Sequence, residues 1–310
     1  MSGGISLVKV ADIVVTETTL RALAAISKYR YLSVNQVAIM ADLRPKSASE
    51  MLLRLERQKL LGSFGNTGIR GHGKTPKMYF LTKGGHGILS EEGEALGWDV
   101  EPYRQVSVTS RWSPQMFHRL DTLNALVALE RGCRELQDYR LVNTLIEYRR
   151  EKRGREWRAE TTDYVADPPI SENKIVPDAG FVLENTTTGN RALFLIEVDC
   201  GTERLTTGKV DAISQSFVHK LRQYDRYLES GRCRDRYKHL GTFSSFRMLV
   251  VTTSQKRIEN MRQAAVVLDA DFDGFYRFST LNEVTENFLH SGWRSRDCGD
   301  HNLYQLIRGT

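Results

Sequence analysis

The chain has 310 residues, of which 40% are hydrophobic and 26% charged, and its formal net charge is +6. This composition is typical of a folded, water-soluble protein, and no apolar run approaches the length of a membrane span, so we expect no membrane segment. The N-terminus lacks the features of a signal peptide, and the four cysteines contain no close pair. We therefore expect a cytoplasmic protein with neither a zinc site nor a disulfide framework.

The length suits two domains, and the positive charge is concentrated in one short segment. Residues 44–83 carry nine Lys or Arg and two acids, a net charge of +7 against +6 for the whole chain. An excess of this kind permits a nucleic-acid partner. We predict one domain over residues 1–97, a linker over residues 98–111 and a second domain over residues 112–310.

The first predicted elements are three helices followed by a short hairpin. Thr18 and Ser33 are suited to cap the first two helices, and the third is predicted to begin near Lys46–Ser47. Strands are predicted at residues 60–64 and 77–82. This order predicts a winged helix-turn-helix, with the third helix in the major groove of double-stranded DNA and the wing on the phosphates or the minor groove. A winged helix used for protein contacts is the alternative.

The predicted DNA contacts are polar and basic residues of the third helix and the wing. They are Ser47, Arg54, Arg57, Arg70, Lys74 and Lys77.

The second domain is predicted to begin with a helix, a strand and a charged segment. The helix opens at Ser113–Pro114 and carries His118 and Asp121 three residues apart on one face. A strand follows at residues 139–148. The charged run at residues 149–155 is predicted to be a solvated loop, and a loop that contacts phosphates is the alternative.

The segment from residue 175 to residue 220 contains the acids on which a catalytic site depends. Two apolar runs joined by a polar turn at residues 185–190 predict a β-hairpin. Asp178 opens its first strand, and Glu197 and Asp199, two residues apart on the second, point to one face. Like charges on a buried face repel, and a hard octahedral cation such as Mg²⁺ or Mn²⁺ would offset that cost. Turn caps or ion pairs with arginine are the alternative.

The rest of the chain alternates between helices and strands. A helix is predicted over residues 211–229, with Lys220 beside its apolar stripe, and a polar loop containing Glu203 precedes it. Further strands are predicted at residues 246–252 and 275–278 and further helices at residues 255–268 and 281–289. This alternation implies a mixed sheet with a parallel crossover, so the predicted fold class is α/β (α+β).

The hairpin resembles the PD-(D/E)xK motif of restriction-endonuclease-like nucleases. Pro177–Asp178 matches the first half and Glu197-Val198-Asp199 the second, but Asp199 stands where the family has its lysine. Variants of this fold carry the lysine on the following helix, which makes Lys220 the candidate. With the winged helix in front, the chain from about Thr18 onward is similar to the replication-relaxation family of mobile-element proteins, which is related to the MobC-class relaxases.

The resemblance implies a metal-dependent protein that nicks or cleaves DNA during mobilisation or replication of a plasmid or integrative element. It implies catalytic roles for Asp178, Glu197, Asp199 and Lys220, with Mg²⁺ or Mn²⁺ bound by Asp178, Glu197 and Asp199. His118, Asp121 and Glu203 are accessory candidates. The expected partner is double-stranded DNA, or single-stranded DNA at a nick, and a second copy of the chain or proteins of a transfer complex are further candidates. The alternative function is a non-catalytic DNA-binding regulator with a degenerate nuclease fold.

Overall fold

The computed structural model describes residues 8–10, 13–65, 68–69, 73–106, 114–154, 156–201, 203–206 and 216–307. The chain divides into two compact units, residues 1–127 and residues 128–310. The domain limits predicted from the sequence stay predictions. None of the described helices is both long enough and apolar enough to cross a membrane.

The N-terminal unit contains three helices followed by a strand-rich wing. In chain order its elements are β1 (Val8–Val10), β2 (Ile13–Val15), α1 (Glu17–Tyr29), β3 (Leu32–Ser33), α2 (Val34–Met40), α3 (Pro45–Arg57), β4 (Leu61–Gly65), β5 (Gly68–Ile69), β6 (Gly73–Lys74), β7 (Lys77–Leu81), α4 (Lys83–Ala95) and α5 (Pro114–Arg134), which extends past the unit boundary. Strand β7 pairs antiparallel with both β3 and β4, and β5 pairs with β6. This order and pairing confirm the predicted winged helix-turn-helix.

The starts of the three helices follow from their caps. Thr16, rather than the predicted Thr18, caps α1 by accepting a backbone N–H at 3.2 Å. Ser33 caps α2 as predicted, in a reciprocal capping box. Helix α3 begins at Pro45 instead of near Lys46–Ser47, because proline has a pre-set helical φ and the first helical N–H needs no partner within the helix.

The C-terminal unit is built on a five-stranded mixed sheet. In chain order its elements are β8 (Tyr139–Ile146), β9 (Arg150–Arg153), β10 (Glu156–Ala159), β11 (Asp163–Tyr164), β12 (Lys174–Ile175), β13 (Ala179–Asn185), β14 (Arg191–Asp199), α6 (Phe217–Ser230), α7 (Cys233–Tyr237), β15 (Phe246–Thr252), α8 (Gln255–Ala265), β16 (Tyr276–Thr280) and α9 (Leu281–Glu286). The sheet order is β16-β15-β14-β13-β8. Strands β8, β13 and β14 pair antiparallel, whereas β14, β15 and β16 are parallel, so the predicted mixed sheet with a parallel crossover is confirmed.

The central strand β14 is buried on both faces. Leu193 and Leu195 belong to a core that also includes apolar residues of α6 and α8. Phe194 lies on the opposite face, where its ring stacks at 4.6 Å on that of its cross-strand partner. Because side chains alternate along a strand, Glu197 and Asp199 continue the face of the two leucines, toward α6 and α8.

Two predicted segments differ from the structure. Within the run predicted as a loop, residues 150–153 form strand β9, which pairs with β10 in a two-stranded ribbon that turns at Gly154. In the described part of the chain, the helix predicted from residue 211 begins at Phe217, where Ser216 accepts a backbone N–H as its N-cap. Residues 207–215 lie outside the described residues.

Candidate active site

The candidate site lies at the end of the β13–β14 hairpin that is remote from its turn. Ala179 pairs with Ile196, so Asp178, directly before β13, lies beside the end of β14. The backbone N–H of Val198 donates to Oδ2 of Asp178 at 2.8 Å. This bond fixes the first predicted acid against the strand that carries the other two.

Glu197 is the buried centre of the site, with 4% of its surface exposed. Nζ of Lys220 lies 3.1 Å from Oε2 of Glu197, and the Tyr224 hydroxyl donates to Oε1. The lysine and the tyrosine are four residues apart and so project from one face of α6. Burial raises the pKa of Glu197 to about 8 against the opposing effect of Lys220, and the negative charge of Asp178 adds to the rise.

Lys220 provides the positive charge of the site. Its ammonium lies 3.4 Å from Oε2 of Glu203 in addition to its contact with Glu197, and 40% of its side chain remains exposed. Burial disfavours the ammonium charge, but Glu197, Glu203 and Asp178 outweigh burial and raise the pKa of this lysine above its usual value. The structure thus brings together four of the residues predicted from the sequence.

Asp199 lies on the same side of β14 as Glu197 but has different partners. Its Oδ2 accepts from the Thr252 hydroxyl at 2.7 Å, and Arg257 donates Nε to Oδ2 at 2.9 Å and Nη2 to Oδ1 at 3.0 Å. The same guanidinium donates to the backbone carbonyl of Glu203. Arg257 therefore neutralises Asp199 and connects it to the loop that carries Glu203.

The donor atoms match a hard divalent cation in their chemistry. Asp178, Glu197 and Glu203 supply carboxylate oxygens, the ligands that Mg²⁺ and Mn²⁺ prefer. Among the described residues, no three His, Cys, Asp or Glu side chains already converge to hold a metal ion. Instead, the ammonium of Lys220 bridges two of the carboxylates, so an ion held by these oxygens requires the ammonium to withdraw. The predicted metal role of Asp199 stays a prediction.

A cleft of about 470 Å³ opens onto this group of charges. Glu197, Glu203 and Lys220 line it, together with His219 and Gln223 from the same helix. This volume is within the range of ligand-binding clefts, so a substrate backbone has room to reach the lysine.

Two partners of the acids were not found from the sequence. In the sequence Tyr224 resembles a core residue of its helix, although its spacing of four residues from Lys220 places both beside one acid. Arg257 left no local signal, because it lies 58 residues from Asp199 and the sheet brings the two together. His118 and Asp121 lie on the part of α5 that belongs to the N-terminal unit, and their accessory roles stay predictions.

The predicted DNA-contacting residues lie on α3 and the wing. Those with exposed side chains are Ser47, Arg54, Arg57 and Lys74. Lys77 forms an ion pair with Glu56 at 2.7 Å, so part of its charge is already balanced within the unit. Arg70 lies outside the described residues. The exposed cations of α3 remain available to an anionic partner.

A comparison with protein families identifies the chain. The family described as replication-relaxation matches residues 23–242, which is more than half of the sequence. The chain belongs to the replication-relaxation family. This confirms the resemblance inferred from the hairpin and the winged helix. No curated protein matches this replication-relaxation protein.

Three solved structures are similar to part of this replication-relaxation protein, each with a TM-score of 0.23. A MarR family transcriptional regulator from Silicibacter pomeroyi DSS is 18% identical over 36% of this chain and 70% of its own. BpsR from Bordetella bronchiseptica, whose DNA binding is regulated by 6-hydroxynicotinic acid, is 17% identical over 38% of this chain and 77% of its own. YusO from Bacillus subtilis is 20% identical over 37% of this chain and 75% of its own. The winged-helix assignment rests on element order and strand register alone.

Proposed function

We propose that this protein is a metal-dependent enzyme that nicks or cleaves DNA during replication or transfer of a plasmid or integrative element. The observation that carries the proposal is the meeting of Asp178, Glu197 and Lys220 at one end of the hairpin, where Glu197 and Lys220 line an open cleft. A PD-(D/E)xK nuclease needs two acids and a lysine in this relation, and membership of the replication-relaxation family supports a DNA-related role.

Asp178, Glu197 and Glu203 are the residues that would hold the metal. When bound, Mg²⁺ or Mn²⁺ supplies a Lewis acid for the scissile phosphate and lowers the pKa of an attacking water. The bond from Val198 fixes the carboxylate of Asp178. The Tyr224 hydroxyl fixes that of Glu197, so two of the three carboxylates are oriented in advance.

Lys220 would neutralise the charge that develops on the phosphate in the transition state. Its long side chain is 40% exposed at the cleft, so the ammonium can turn from Glu197 toward a phosphate without moving the helix. The raised pKa keeps this lysine charged across the physiological range.

Asp199 enters the proposal as a positioning residue. Its carboxylate is held in two hydrogen bonds by Arg257, and the same guanidinium holds the carbonyl of Glu203. Through this link Asp199 would set the place of Glu203 beside Lys220. A direct role in metal binding would require Asp199 to leave Arg257.

The N-terminal unit would deliver the enzyme to double-stranded DNA. Arg54 and Arg57 are exposed on α3, the helix that enters the major groove in a winged helix, and Lys74 is exposed on the wing. Binding that neutralises DNA phosphates releases their counterions, so the affinity for DNA should fall steeply as the salt concentration rises.

The first test is calorimetric titration with Mn²⁺ alongside incubation of supercoiled plasmid with Mg²⁺. The wild type should bind the metal and relax the plasmid, whereas Glu197→Gln should do neither. Glu184→Gln is the matched control, because Glu184 is a buried acid of the same hairpin that pairs with Arg140 and Arg191 at the turn end. Full metal-dependent cleavage by Glu197→Gln would refute the proposal.

A non-catalytic DNA-binding regulator is the second candidate. It is favoured by the bridging position of Lys220 and by the raised pKa of Glu197, both of which reduce the negative charge of the site without metal. Duplex binding by the wild type without metal binding or plasmid relaxation would select this function.

A further inference from the structure

The ribbon formed by β9 and β10 has two chemically different faces. Cross-strand partners share a face, and Lys152 pairs with Trp157 while Arg150 pairs with Ala159. None of the four residues on this face is acidic. The other face carries Glu151, Arg153, Glu156 and Arg158. On this face each arginine lies near a carboxylate with which it can form an ion pair.

The mixed-charge face anchors the ribbon to the C-terminal unit. Arg153 contacts Glu151 and donates to the carbonyl of Thr162 at 2.7 Å. Arg236 of α7 donates to the Glu151 carboxylate at 2.9 Å, and Arg158 pairs with Glu156 at 2.7 Å. The charges on this face are therefore internally balanced, and the ribbon is fixed in place.

Apart from the buried Ala159, the opposite face is exposed, and both of its charged side chains are positive. Arg150 and Lys152 are exposed, and among the described residues neither forms an ion pair. Trp157 keeps 64% of its surface exposed, the highest value for an aromatic side chain in the described chain. An indole left in water beside two unbalanced cations gains energy only when a partner covers it.

We infer that this face binds single-stranded DNA, with Arg150 and Lys152 on the phosphates and Trp157 stacked on an unpaired base. Two cations without a carboxylate complement a polyanion, and an aromatic platform flanked by cations is the usual arrangement of single-strand binders. In an intact duplex the bases are already stacked on one another, so no unpaired base is available to stack on the Trp157 indole. The choice of DNA rests on the proposed function, in which a nick creates unpaired ends.

The test measures binding of the full chain to a fluorescent oligonucleotide by anisotropy, as a single strand and as a blunt duplex of the same sequence. Trp157→Ala should weaken single-strand binding about 5- to 100-fold and duplex binding less than twofold. Trp157→Phe should retain most of the affinity, because it keeps an aromatic face. Lys256→Gln, which removes a 78% exposed cation of the same unit, is the control and should change neither.

The contribution of Arg150 and Lys152 is tested separately, by the salt dependence of the affinity for single-stranded DNA. Arg150→Gln/Lys152→Gln should lower the slope of log affinity against log salt for the single strand by about 1.4, the value for two phosphate contacts. Absence of single-strand binding by the wild type, an unchanged affinity of Trp157→Ala, or an equal loss on duplex would overturn the inference.

The ribbon and the cleavage site can fail separately. Glu197→Gln should keep the wild-type affinity for the single strand, because Glu197 is not on the ribbon. Loss of single-strand affinity in Trp157→Ala, in a protein that shows no cleavage at all, would support the ribbon and remove the nuclease proposal. Cleavage that depends on Glu197 but not on Trp157, with no single-strand binding, would support the nuclease proposal and overturn the inference about the ribbon.

Discussion

Replacing Arg257 by methionine tests whether Asp199 depends on this arginine. The Asp199 side chain is 4% exposed and that of Arg257 is 17% exposed, so the pair is mostly removed from water. In Arg257→Met, Asp199 keeps the hydrogen bond from Thr252 but loses both bonds from the guanidinium, and its charge stays buried. We expect a large loss of stability.

The size of the loss follows from the burial of the pair. Removing one partner of a buried, hydrogen-bonded ion pair costs about 3–5 kcal/mol, because the remaining charge is uncompensated. In Asp199→Asn/Arg257→Met no charge remains, and the asparagine can still accept from Thr252. The double variant should therefore be more stable than Arg257→Met, with a coupling free energy of roughly 2 kcal/mol or more.

The assay is urea unfolding of the four members of this cycle, followed by tryptophan fluorescence, since Trp293 is fully buried in the same unit. Lys256→Met, one residue away on α8 and 78% exposed, should change the unfolding free energy by less than about 0.5 kcal/mol. Additive effects within about 0.5 kcal/mol, or a loss below about 1 kcal/mol for Arg257→Met, would show that the pair is not a buried charge-balanced unit.

Three further predictions concern other parts of the chain. Because burial raises the pKa of Glu197 to about 8, the folded protein holds a proton that the unfolded chain releases, so the unfolding free energy should fall between about pH 5 and pH 8; Glu197→Gln should show a flatter profile in urea titrations. A Cβ at Gly85 would overlap the carbonyl oxygen of Leu60, so Gly85→Ala should lower the thermal midpoint of the N-terminal unit, unlike Gly87→Ala, where the space is open. Arg54→Gln/Arg57→Gln should lower the salt slope for duplex binding by about 1.8, measured by anisotropy at several salt concentrations.

Strands of the sheet were predictable where burial is continuous. The bounds predicted for β15, residues 246–252, are those of the structure, because a parallel strand buried on both faces is rich in consecutive apolar residues, here Met248 to Val251. The β9–β10 ribbon was missed because it is nearly all polar. Its charged residues pair within each strand, as Arg153 does with Glu151, and Arg236 from α7 holds the ribbon in place; neither contact leaves an apolar period in the sequence.

The site was predictable only as far as local spacing reaches. The alternation of β14 places Glu197 and Asp199 on one side, and their partners confirm it. Their environments differ through tertiary contacts, because Glu197 contacts a lysine and a tyrosine of α6 whereas Asp199 contacts Arg257 of α8. A sequence pattern that counts carboxylates treats the two acids as equivalent, whereas in the folded protein Arg257 neutralises the charge of Asp199.

In the proposed nuclease, this division of charge would let a lysine on a helix replace the one that the PD-(D/E)xK pattern has on the strand. With Asp199 balanced by Arg257, Asp178, Glu197 and Glu203 face the single cation of Lys220. If all three are ionised, two negative charges remain. Burial raises the pKa of Glu197, and the negative charge of Asp178 adds to the rise. Mg²⁺ carries two charges, so a bound ion would offset two of the three carboxylate charges, weaken the attraction of the carboxylates for Lys220 and let the ammonium turn to a phosphate. A lysine fixed on the buried strand has less freedom for this exchange than one that reaches the cleft from α6 with 40% of its side chain exposed.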